Sequence, residues 1–404
     1  MKRSIIVLLV VTGACAPAII PPTARPSPVT TAVPGSPTEV GMNANLSKEL
    51  DSIIETALRE GAAPGAAIAV GRYGRIVHMR GYGRLDTAAA SGKVDENSIY
   101  DLASLTKVVA TTTAAMILDE EGKLDIDRTV ASYLPGFNQP DKTPITVRMI
   151  LTHRGGLEAF APLYRTFKGR EQYLEQINTR PLKSVPGTEM VYSDWDMILM
   201  QLVIEQITGQ PLDQFVADRV FRPLGMTSTG FNPDSSLLAR IAPTEIDTAR
   251  GGLVRGKVHD ENAWAMGGVS GHAGLFSTAR DLSIFVTMLL DGGEYNGIRI
   301  VKPATLVRWT APQNRESSRT LGWDSPSKNS SAGHFFSPRS FGHTGFTGTS
   351  IWIDPERGLY VILLTNRVDP SRDNNRHIPL RRAVADAAQQ AIVDAPLIDW
   401  EAKS

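Results

Sequence analysis

Hydrophobic residues recur with helical spacing near the start of the folded region. In NLSKELDSIIETALREG, which begins at Asn45, apolar side chains fall three and four residues apart and Gly61 follows. This spacing predicts an amphipathic helix that ends before the glycine. The stretch GAAIAVGRYGRIVHMRGYGR then predicts two short strands joined by a turn at Gly71 to Gly74.

The C-terminal part repeats this pattern in reverse order. TSIWIDPERGLYVILLTNR predicts a second hairpin, turned at Asp354 to Gly358, and IPLRRAVADAAQQAIV predicts a closing helix. Helical periodicity dominates between, as in DMILMQLVIEQITG, which Gly209 ends. A lone hairpin is only marginally stable, so the two hairpins should share one sheet. We predict an α/β plus all-α fold, with an antiparallel sheet built from both chain ends, flanked by helices, and a mostly helical inserted region.

The first residues follow a secretory signal pattern. A basic start, MKR, precedes the apolar run IIVLLVV, and small residues lead to Cys15, the only cysteine of the chain. The run is too short to span a bilayer as a mature helix. Cys15 stands where bacterial lipoproteins are acylated, although Thr12 replaces the usual leucine. Residues 1–15 are predicted to be a signal peptide with a lipobox; a plain signal peptide, with loss of Cys15, is the alternative.

Composition changes sharply after the cysteine. Proline, threonine and serine dominate residues 16–43, and such a segment buries too little apolar surface to fold, so we predict a disordered linker. A linker after an acylated cysteine would hold the folded domain off a membrane. That domain is predicted over residues 44–395, with an α/β part over about 44–110 and 294–395, a helical part over about 111–293, and a tail over 396–404.

Charge and motif content exclude several functions. The 42 lysines and arginines balance the 42 aspartates and glutamates, so there is no basic excess to favour nucleic acid. A single cysteine rules out a multi-cysteine zinc site, and no phosphate-binding glycine loop or His-Glu-x-x-His helix occurs. We therefore predict no metal and no cofactor. His259, Asp260 and Glu261 are metal-type side chains, but a loop is favoured for them; His272 is favoured as a structural histidine, with a place in a cleft as the alternative.

A lysine interrupts an otherwise apolar helical pattern in DLASLTKVVATTTAAMILDEEG. Lys107 follows Ser104 by three residues, so the amine and the hydroxyl share one helix face. Burial beside the positive N-terminal end of the helix would favour the neutral amine, which can accept the serine proton. Ser325 and Lys328 have the same spacing but lie in a loop rich in proline and serine, and we discard them. A helix cap at Ser104 with a surface lysine is the structural alternative.

Two further segments carry candidate chemistry. PGTEMVYSDWDMILMQ places Tyr192 and Asp194 in a loop before an apolar helix, and a phenolic oxygen near a lysine can shuttle a proton. In FGHTGFTGTSIWI, a predicted strand opens with His343, Thr344 and Gly345. Glycine there would let a substrate lie against the strand edge. Together with the serine and lysine, these segments indicate one nucleophilic site.

These segments resemble the penicillin-recognising serine hydrolases, which include class C β-lactamases, D,D-carboxypeptidases and esterase relatives. YDLASLTKVVATTTAAMIL resembles the nucleophile helix, ILTHRGGL a mid-chain loop, YSD the tyrosine motif, and GGVSGHAGLFSTARDLSIF and FGHTGFTGTS later segments. The resemblance extends from about Leu46 to Ile392 and is greatest to a low-molecular-mass penicillin-binding-protein branch. It implies a β-lactamase/transpeptidase-like fold.

The resemblance also implies a role for each matching residue. Ser104 would be the acylated nucleophile, Lys107 its base and Tyr192 the partner in proton transfer, while the backbone N–H groups of Ser104 and Phe346 would form the oxyanion hole. The implied substrate-binding set is Asp194, His343, Thr344, Gly345 and Phe346. Asp194 and His343 replace the asparagine and lysine of many relatives. With an ordinary pKa of about 6.5, the histidine would bind a substrate carboxylate best at mildly acidic pH.

The expected function is that of an exported serine hydrolase that forms an acyl-enzyme at Ser104. Its expected substrates are D-Ala-D-Ala-type peptides, small esters or, weakly, β-lactams. The alternative is a catalytically weak penicillin-binding sensor of cell-wall peptides. Expected partners are a small-molecule or peptide substrate, peptidoglycan, and a membrane through a lipid anchor at Cys15. The expected location is the bacterial periplasm or cell surface.

Overall fold

Strands from both ends of the chain meet in one sheet. The computed structural model describes residues 32–314, 316–328 and 330–400. Its strands are β1 (Val33–Pro34), β2 (Gly65–Arg72), β3 (Arg75–Gly83), β4 (Tyr100–Asp101), β5 (Gly230–Phe231), β6 (Ile246–Asp247), β7 (Gly252–Leu253), β8 (Leu275–Ser277), β9 (Glu294–Tyr295), β10 (Ile298–Arg299), β11 (Phe341–Thr344), β12 (Ser350–Asp354) and β13 (Leu359–Thr365). Six of them lie in the order β1-β3-β2-β13-β12-β11, and β2 pairs antiparallel with β13, which joins the two predicted hairpins.

The sheet differs from the prediction at its N-terminal edge. β1 pairs parallel with β3, so the sheet is mixed rather than antiparallel. The predicted linker of residues 16–43 also ends too late, because Pro37–Val40 form a 3-10 turn and the side chains of Val40 and Met42 are buried. Burial of these two apolar side chains holds the end of the segment on the domain. Residues 1–31, with the predicted signal peptide, lie outside the described residues.

Helices cover both faces of the sheet. They are α1 (Leu46–Arg59), α2 (Thr113–Glu120), α3 (Val147–Leu151), α4 (Gly169–Thr179), α5 (Asp194–Thr208), α6 (Leu212–Val216), α7 (Arg222–Leu224), α8 (Glu261–Ala265), α9 (Ala279–Leu290), α10 (Pro303–Thr310) and α11 (His377–Gln390). The first and last pack on each other over one face, whereas α9 packs against β2 and β13 on the other. The predicted boundary at residue 293 therefore misplaces α9, because apolar spacing does not reveal which neighbour covers a helix.

The predicted helical part shares one apolar core with the second face of the sheet. Six of the eight residues of α2, and ten of the fifteen residues of α5, are buried. Gly209 ends α5 in the left-handed conformation, with φ of 67°, as predicted. None of the helices in the described ranges combines the length and the apolar character that crossing a bilayer requires.

The segment with Ser104 begins at the end of β4. Ser104 lies in a turn, and Lys107–Thr112 form a π-helical turn that continues into α2. Such widened turns are rare and occur frequently at functional sites. β11 lies at the edge of the six-stranded sheet, and the turn after it contacts the serine segment, since Thr347 Oγ1 donates to the carbonyl of Asp101 at 2.7 Å.

Candidate active site

A buried carboxylate supports the turn that holds Ser104. Ala103 has φ of 46°, a left-handed conformation that is unfavourable for alanine. The two oxygens of Asp101 accept hydrogen bonds from the backbone N–H groups of Ala103, at 2.8 Å, and of His259, at 2.6 Å. Burial raises the pKa of Asp101 to about 6. Asp101 therefore offsets the strain of the residue that precedes the nucleophile.

Lys107 is fully buried, and all three of its N–H bonds have acceptors. Its Nζ donates to Ser104 Oγ at 2.9 Å, to Asp194 Oδ1 at 2.8 Å and to the carbonyl of His272 at 3.2 Å. Burial favours the neutral amine, but the carboxylate of Asp194 and the hydroxyl of Tyr192 outweigh it, and the pKa of Lys107 is raised. The amine is therefore an ammonium at rest, and the predicted neutral lysine is wrong because a counter-ion 87 residues away enters the site.

Tyr192 lies between two cations, in the loop that precedes α5. Its ring centroid is 4.8 Å from Lys107 Nζ and 4.9 Å from the guanidinium carbon of Arg319. The Lys107 ammonium already donates to Ser104 Oγ, so the hydroxyl hydrogen of Ser104 must point to another acceptor. Tyr192 is the proton-transfer group that the resemblance implies for this position.

A histidine and an aspartate lie buried behind Tyr192. The His153 ring is 4.6 Å from the Tyr192 ring, and its Nδ1 lies 3.0 Å from Asp196 Oδ2. The same Nδ1 accepts the backbone N–H of Ser193 at 3.3 Å, so the hydrogen between the two side chains belongs to the carboxyl group. Burial lowers the pKa of His153 well below its ordinary value and raises that of Asp196 well above it. Both groups are therefore neutral.

His343 differs from its predicted role as a titrating partner of a substrate carboxylate. Its Nδ1–H donates to the carbonyl of Thr344 at 2.8 Å, and its Nε2 accepts from Arg319 Nη1 at 3.2 Å. Burial, and then the charges of Arg319 and Lys107, hold the pKa of His343 well below 6.5. His343 is thus neutral over the pH range in which it was expected to titrate, and the permanent cation at this position is Arg319. No motif points to Arg319, which lies in an irregular, serine-rich loop.

Thr344 and Gly345 end a strand instead of opening one. β11 stops at Thr344, and the turn that follows leads to β12. A side chain at Gly345 would bring its Cβ within 2.4 Å of the Leu102 carbonyl oxygen, so glycine allows the close approach to the serine segment. Within the described residues, the backbone N–H groups of Ser104 and Phe346 make no hydrogen bond to the protein, as the predicted oxyanion hole requires.

Three residues near Lys107 carry ligand-type atoms. Oxygen or nitrogen atoms of Asp194, Asp260 and His272 lie within 4.8 Å of one another. The His272 ring lies between Ser270 Oγ, at 2.7 Å, and Asp260 Oδ1, at 2.8 Å. Asp194 accepts from the Lys107 ammonium through its carboxylate and His272 through its backbone carbonyl, whereas Asp260 contacts the His272 ring. His272, favoured as structural from the sequence, is buried and also lines the cavity at Ser104.

The second serine and lysine pair is absent from this site. Ser325 Oγ donates to the carbonyl of Ser318 at 2.7 Å, and Lys328 is exposed. The cavity beside Ser104 has a volume of about 340 Å³ and includes Tyr192 and Asp194 in its lining. The structure therefore brings together the residues of the three predicted segments and leaves out the discarded copy.

Known proteins resemble this chain in sequence and in fold. A family model described as "Beta-lactamase" matches residues 50–386. A protein of Escherichia coli K12 named "Putative D-alanyl-D-alanine carboxypeptidase" is 33% identical over 93% of this chain and 94% of its own length. The solved structure of "EstCE1, a hydrolase with promiscuous acyltransferase activity" has a TM-score of 0.70 at 24% identity and covers 85% of this chain and 98% of that one.

A penicillin-binding protein homolog from Caulobacter crescentus has a similar fold, with a TM-score of 0.69 at 20% identity over 86% of this chain and 99% of that one. The two structural likenesses establish the β-lactamase/transpeptidase fold that the resemblance implied. Because the family match spans nearly the whole folded part, the chain belongs to the beta-lactamase family, as one of its serine hydrolases.

Proposed function

We propose that this hydrolase is a D,D-carboxypeptidase, which removes the last residue of peptides that end in D-Ala-D-Ala. The observation that carries the proposal is the guanidinium of Arg319 beside His343 and Tyr192, because a permanent cation there suits the free carboxylate of such a peptide. Within the described residues its buried Nε–H has no acceptor, and its Nη2 forms only a long ion pair, 3.6 Å, with Asp324 Oδ2, so its donors are not all used in hydrogen bonds. The name of the Escherichia coli relative supports the same substrate class.

The proposed reaction proceeds through an acyl-enzyme. Ser104 Oγ attacks the carbonyl carbon of the D-Ala-D-Ala bond, and its proton passes to the Tyr192 oxygen as the Tyr192 hydroxyl hydrogen passes to the nitrogen of that bond; Lys107 stays an ammonium. The backbone N–H groups of Ser104 and Phe346 stabilise the oxyanion. The bond to nitrogen breaks, D-alanine leaves with that proton on its amine, and a water molecule later hydrolyses the ester at Ser104.

Substitution of Arg319 tests the substrate assignment. For Arg319→Gln, kcat/KM should fall for a D-Ala-D-Ala-terminated peptide by about 10- to 100-fold, the value of a hydrogen bond to a charged group. It should stay within about twofold for a neutral acetyl ester, which has no carboxylate. Arg339→Gln is the matched control, because Arg339 is 66% exposed at the other end of β11. Equal losses for both substrates would reject Arg319 as the carboxylate-binding residue.

A labelled penicillin separates the proposed enzyme from the sensor. A hydrolase that turns over its acyl-enzyme should show an adduct that disappears as product accumulates, whereas a sensor should keep a stoichiometric adduct. Adduct decay followed by mass spectrometry, together with D-alanine release from the peptide, gives the answer. A persistent adduct without D-alanine release would favour the sensor.

We also propose that the protein is exported and anchored by lipid at Cys15, a residue outside the described residues. The signal pattern before it and the proline-rich spacer after it support this proposal. The protein should fractionate with membranes, and Cys15→Ser should release it or block its processing. Several acyl chains are needed for firm attachment, since one chain anchors only marginally. A mature start downstream of Cys15, found by intact-mass measurement without lipid, would end the proposal.

A further inference from the structure

His153 contacts Tyr192 and its neighbours through both its backbone and its ring. The carbonyl of His153 accepts the N–H of Val191 at 2.9 Å, and its Nδ1 accepts the N–H of Ser193 at 3.3 Å. Its ring packs against the Tyr192 ring with a centroid distance of 4.6 Å and an interplanar angle of 57°. His153 therefore holds the residues on both sides of Tyr192 as well as the Tyr192 ring itself.

Tyr192 has no regular secondary structure of its own to fix its side chain. It lies in an irregular segment, and α5 begins only at Asp194. His153 comes from a different segment, the turn that follows α3. A displacement of about 1 Å near a reacting group can lower the rate by about 100-fold. The contacts with His153 are therefore in a place where a small movement would strongly affect proton transfer.

His153 and Asp196 are unfavourable choices for the stability of the fold. His153 has φ of 56°, a left-handed conformation that few residues other than glycine adopt, and both side chains are buried. In the part of the chain that the structure describes, neither His153 Nε2 nor Asp196 Oδ1 has a hydrogen-bond partner. Buried polar atoms without partners lower stability, and apolar side chains of similar size would avoid that loss. Strained and costly residues of this kind are typical of active sites.

Asp196 determines which nitrogen of His153 accepts a hydrogen bond. Its Oδ2 lies 3.0 Å from His153 Nδ1, and the carboxyl group carries the hydrogen between them, so the imidazole proton is on Nε2. An ionised carboxylate would instead draw the imidazole proton to Nδ1, which could then no longer accept the N–H of Ser193. The donor at Asp196 therefore keeps His153 in the tautomer that holds the Tyr192 segment.

We propose that His153, with Asp196 as its hydrogen-bond donor, is a positioning residue that aligns the Tyr192 hydroxyl with Ser104 and with the leaving group. This inference rests on the proposed acyl-enzyme reaction, in which the Tyr192 oxygen accepts one proton while its hydroxyl gives up another. Both transfers need one position of the phenol, and the contacts with His153 restrain its backbone and its ring together.

Two acetate esters test this role. Phenyl acetate and p-nitrophenyl acetate give the same acyl-enzyme, since in each Ser104 Oγ bonds to the carbonyl carbon and the bond to the phenolic oxygen breaks. A plain phenol has a pKa of about 10, so its oxygen needs the hydrogen of Tyr192 as it leaves, whereas the more acidic nitrophenol leaves as its anion. The ratio of the two kcat/KM values therefore reports how well Tyr192 delivers its proton. Rates are divided by the number of sites that a fluorophosphonate labels, so that unfolded protein does not count.

His153→Phe keeps a ring but removes the acceptor of the Ser193 N–H. It should lower kcat/KM for phenyl acetate about tenfold more than for p-nitrophenyl acetate. His153→Asn keeps an acceptor and suits the left-handed backbone, so its ratio should stay within about threefold of the wild type. Asp196→Leu removes only the donor to His153 and should change the ratio in the same direction as His153→Phe, which decides the test if His153→Phe does not fold.

A double-mutant cycle determines whether His153 acts through Tyr192. In a Tyr192→Phe background, His153→Phe should lower kcat/KM for phenyl acetate by no more than about twofold further, because no hydroxyl is left to align. His78→Phe is the matched control: His78 is also buried, and its ring nitrogens lie 3.1 Å from Ser47 Oγ and 2.8 Å from Tyr82 Oη. That variant should leave the ratio of the two esters unchanged.

Failure of the positioning role and failure of the proposed reaction give different results. Equal losses for both esters in His153→Phe and Asp196→Leu, or independent losses in the double variant, would overturn the role of His153 and leave the reaction in place. Turnover of phenyl acetate that is unchanged in Tyr192→Phe would reject the proposed reaction, and with it the role of His153.

Discussion

Removal of the charge on Asp194 should shift the pH dependence of catalysis. The ammonium of Lys107 is fully buried, and Asp194 Oδ1, on a side chain only 19% exposed, lies 2.8 Å from it. Asp194→Asn keeps the shape and one hydrogen-bond acceptor but removes the negative charge. An opposite charge in contact typically displaces a titration by about 1–3 pH units, or roughly 1.4–4 kcal/mol.

The sign of the shift follows from the lost counter-ion. Without the carboxylate the charged amine is less favourable, so the pKa of Lys107 falls. The limb of the kcat/KM profile that reports its titration should therefore move to lower pH by about 1–3 units. The assay is hydrolysis of a neutral acetyl ester between about pH 5 and 10, since such a substrate has no titrating group of its own. Because the pKa of Lys107 is raised above its ordinary value of 10.5, the wild type should show no Lys107 limb in this range, whereas Asp194→Asn should bring the limb into it.

Asp196→Asn provides a matched control on the same first turn of α5. Asp196 already carries a proton, and an amide N–H can replace its O–H as the donor to His153 Nδ1. Its profile should therefore coincide with that of the wild type. Unchanged limbs in Asp194→Asn would refute control of Lys107 by Asp194, and equal shifts in both variants would refute the neutral Asp196.

Two further substitutions test the support of the site. Gly345→Ala should lower the free energy of unfolding by about 1–3 kcal/mol, seen as a lower melting temperature, and should also reduce ester turnover, because its Cβ would lie 2.4 Å from the Leu102 carbonyl oxygen. Gly230→Ala, with no atom within 4 Å of its Cβ, should be nearly neutral. Burial raises the pKa of Asp101 from 3.8 to about 6, so between about pH 4 and 6 the folded state keeps a proton that the unfolded state has lost. The free energy of unfolding of the wild type should therefore fall by up to about 3 kcal/mol, relative to that of Asp101→Asn, as the pH rises over this range. Denaturant unfolding at several pH values measures this difference, and a constant difference would contradict the assignment.

Local sequence patterns were sufficient to predict both hairpins, their flanking helices and the residues of the nucleophile motif. Both hairpins, the helix before them and the closing helix follow from apolar spacing and turn residues, and the structure has them at the predicted places. The sequence context also separates Ser104 from Ser325, because only the first serine precedes a buried helix. These features depend on residues close together in the chain.

The charge states of the site could not be predicted in the same way. Lys107 is an ammonium because Asp194 reaches it from α5, and His343 is neutral because Arg319 donates to it from a loop without regular structure. Each effect depends on two groups that are distant in sequence. The packing of the helical part on the sheet brings these groups together, and a single sequence motif does not reveal that packing.

Covalent labelling of Ser104 tests the central claim most directly. Wild-type protein treated with a fluorophosphonate should gain the mass of one adduct, and peptide mapping should assign it to Ser104. Ser104→Ala should gain no adduct, while Ser325→Ala should be labelled like the wild type, since Ser325 Oγ is bonded to the Ser318 carbonyl away from the lysine. Labelling that persists in Ser104→Ala, or that is lost in Ser325→Ala, would contradict the assignment of the nucleophile.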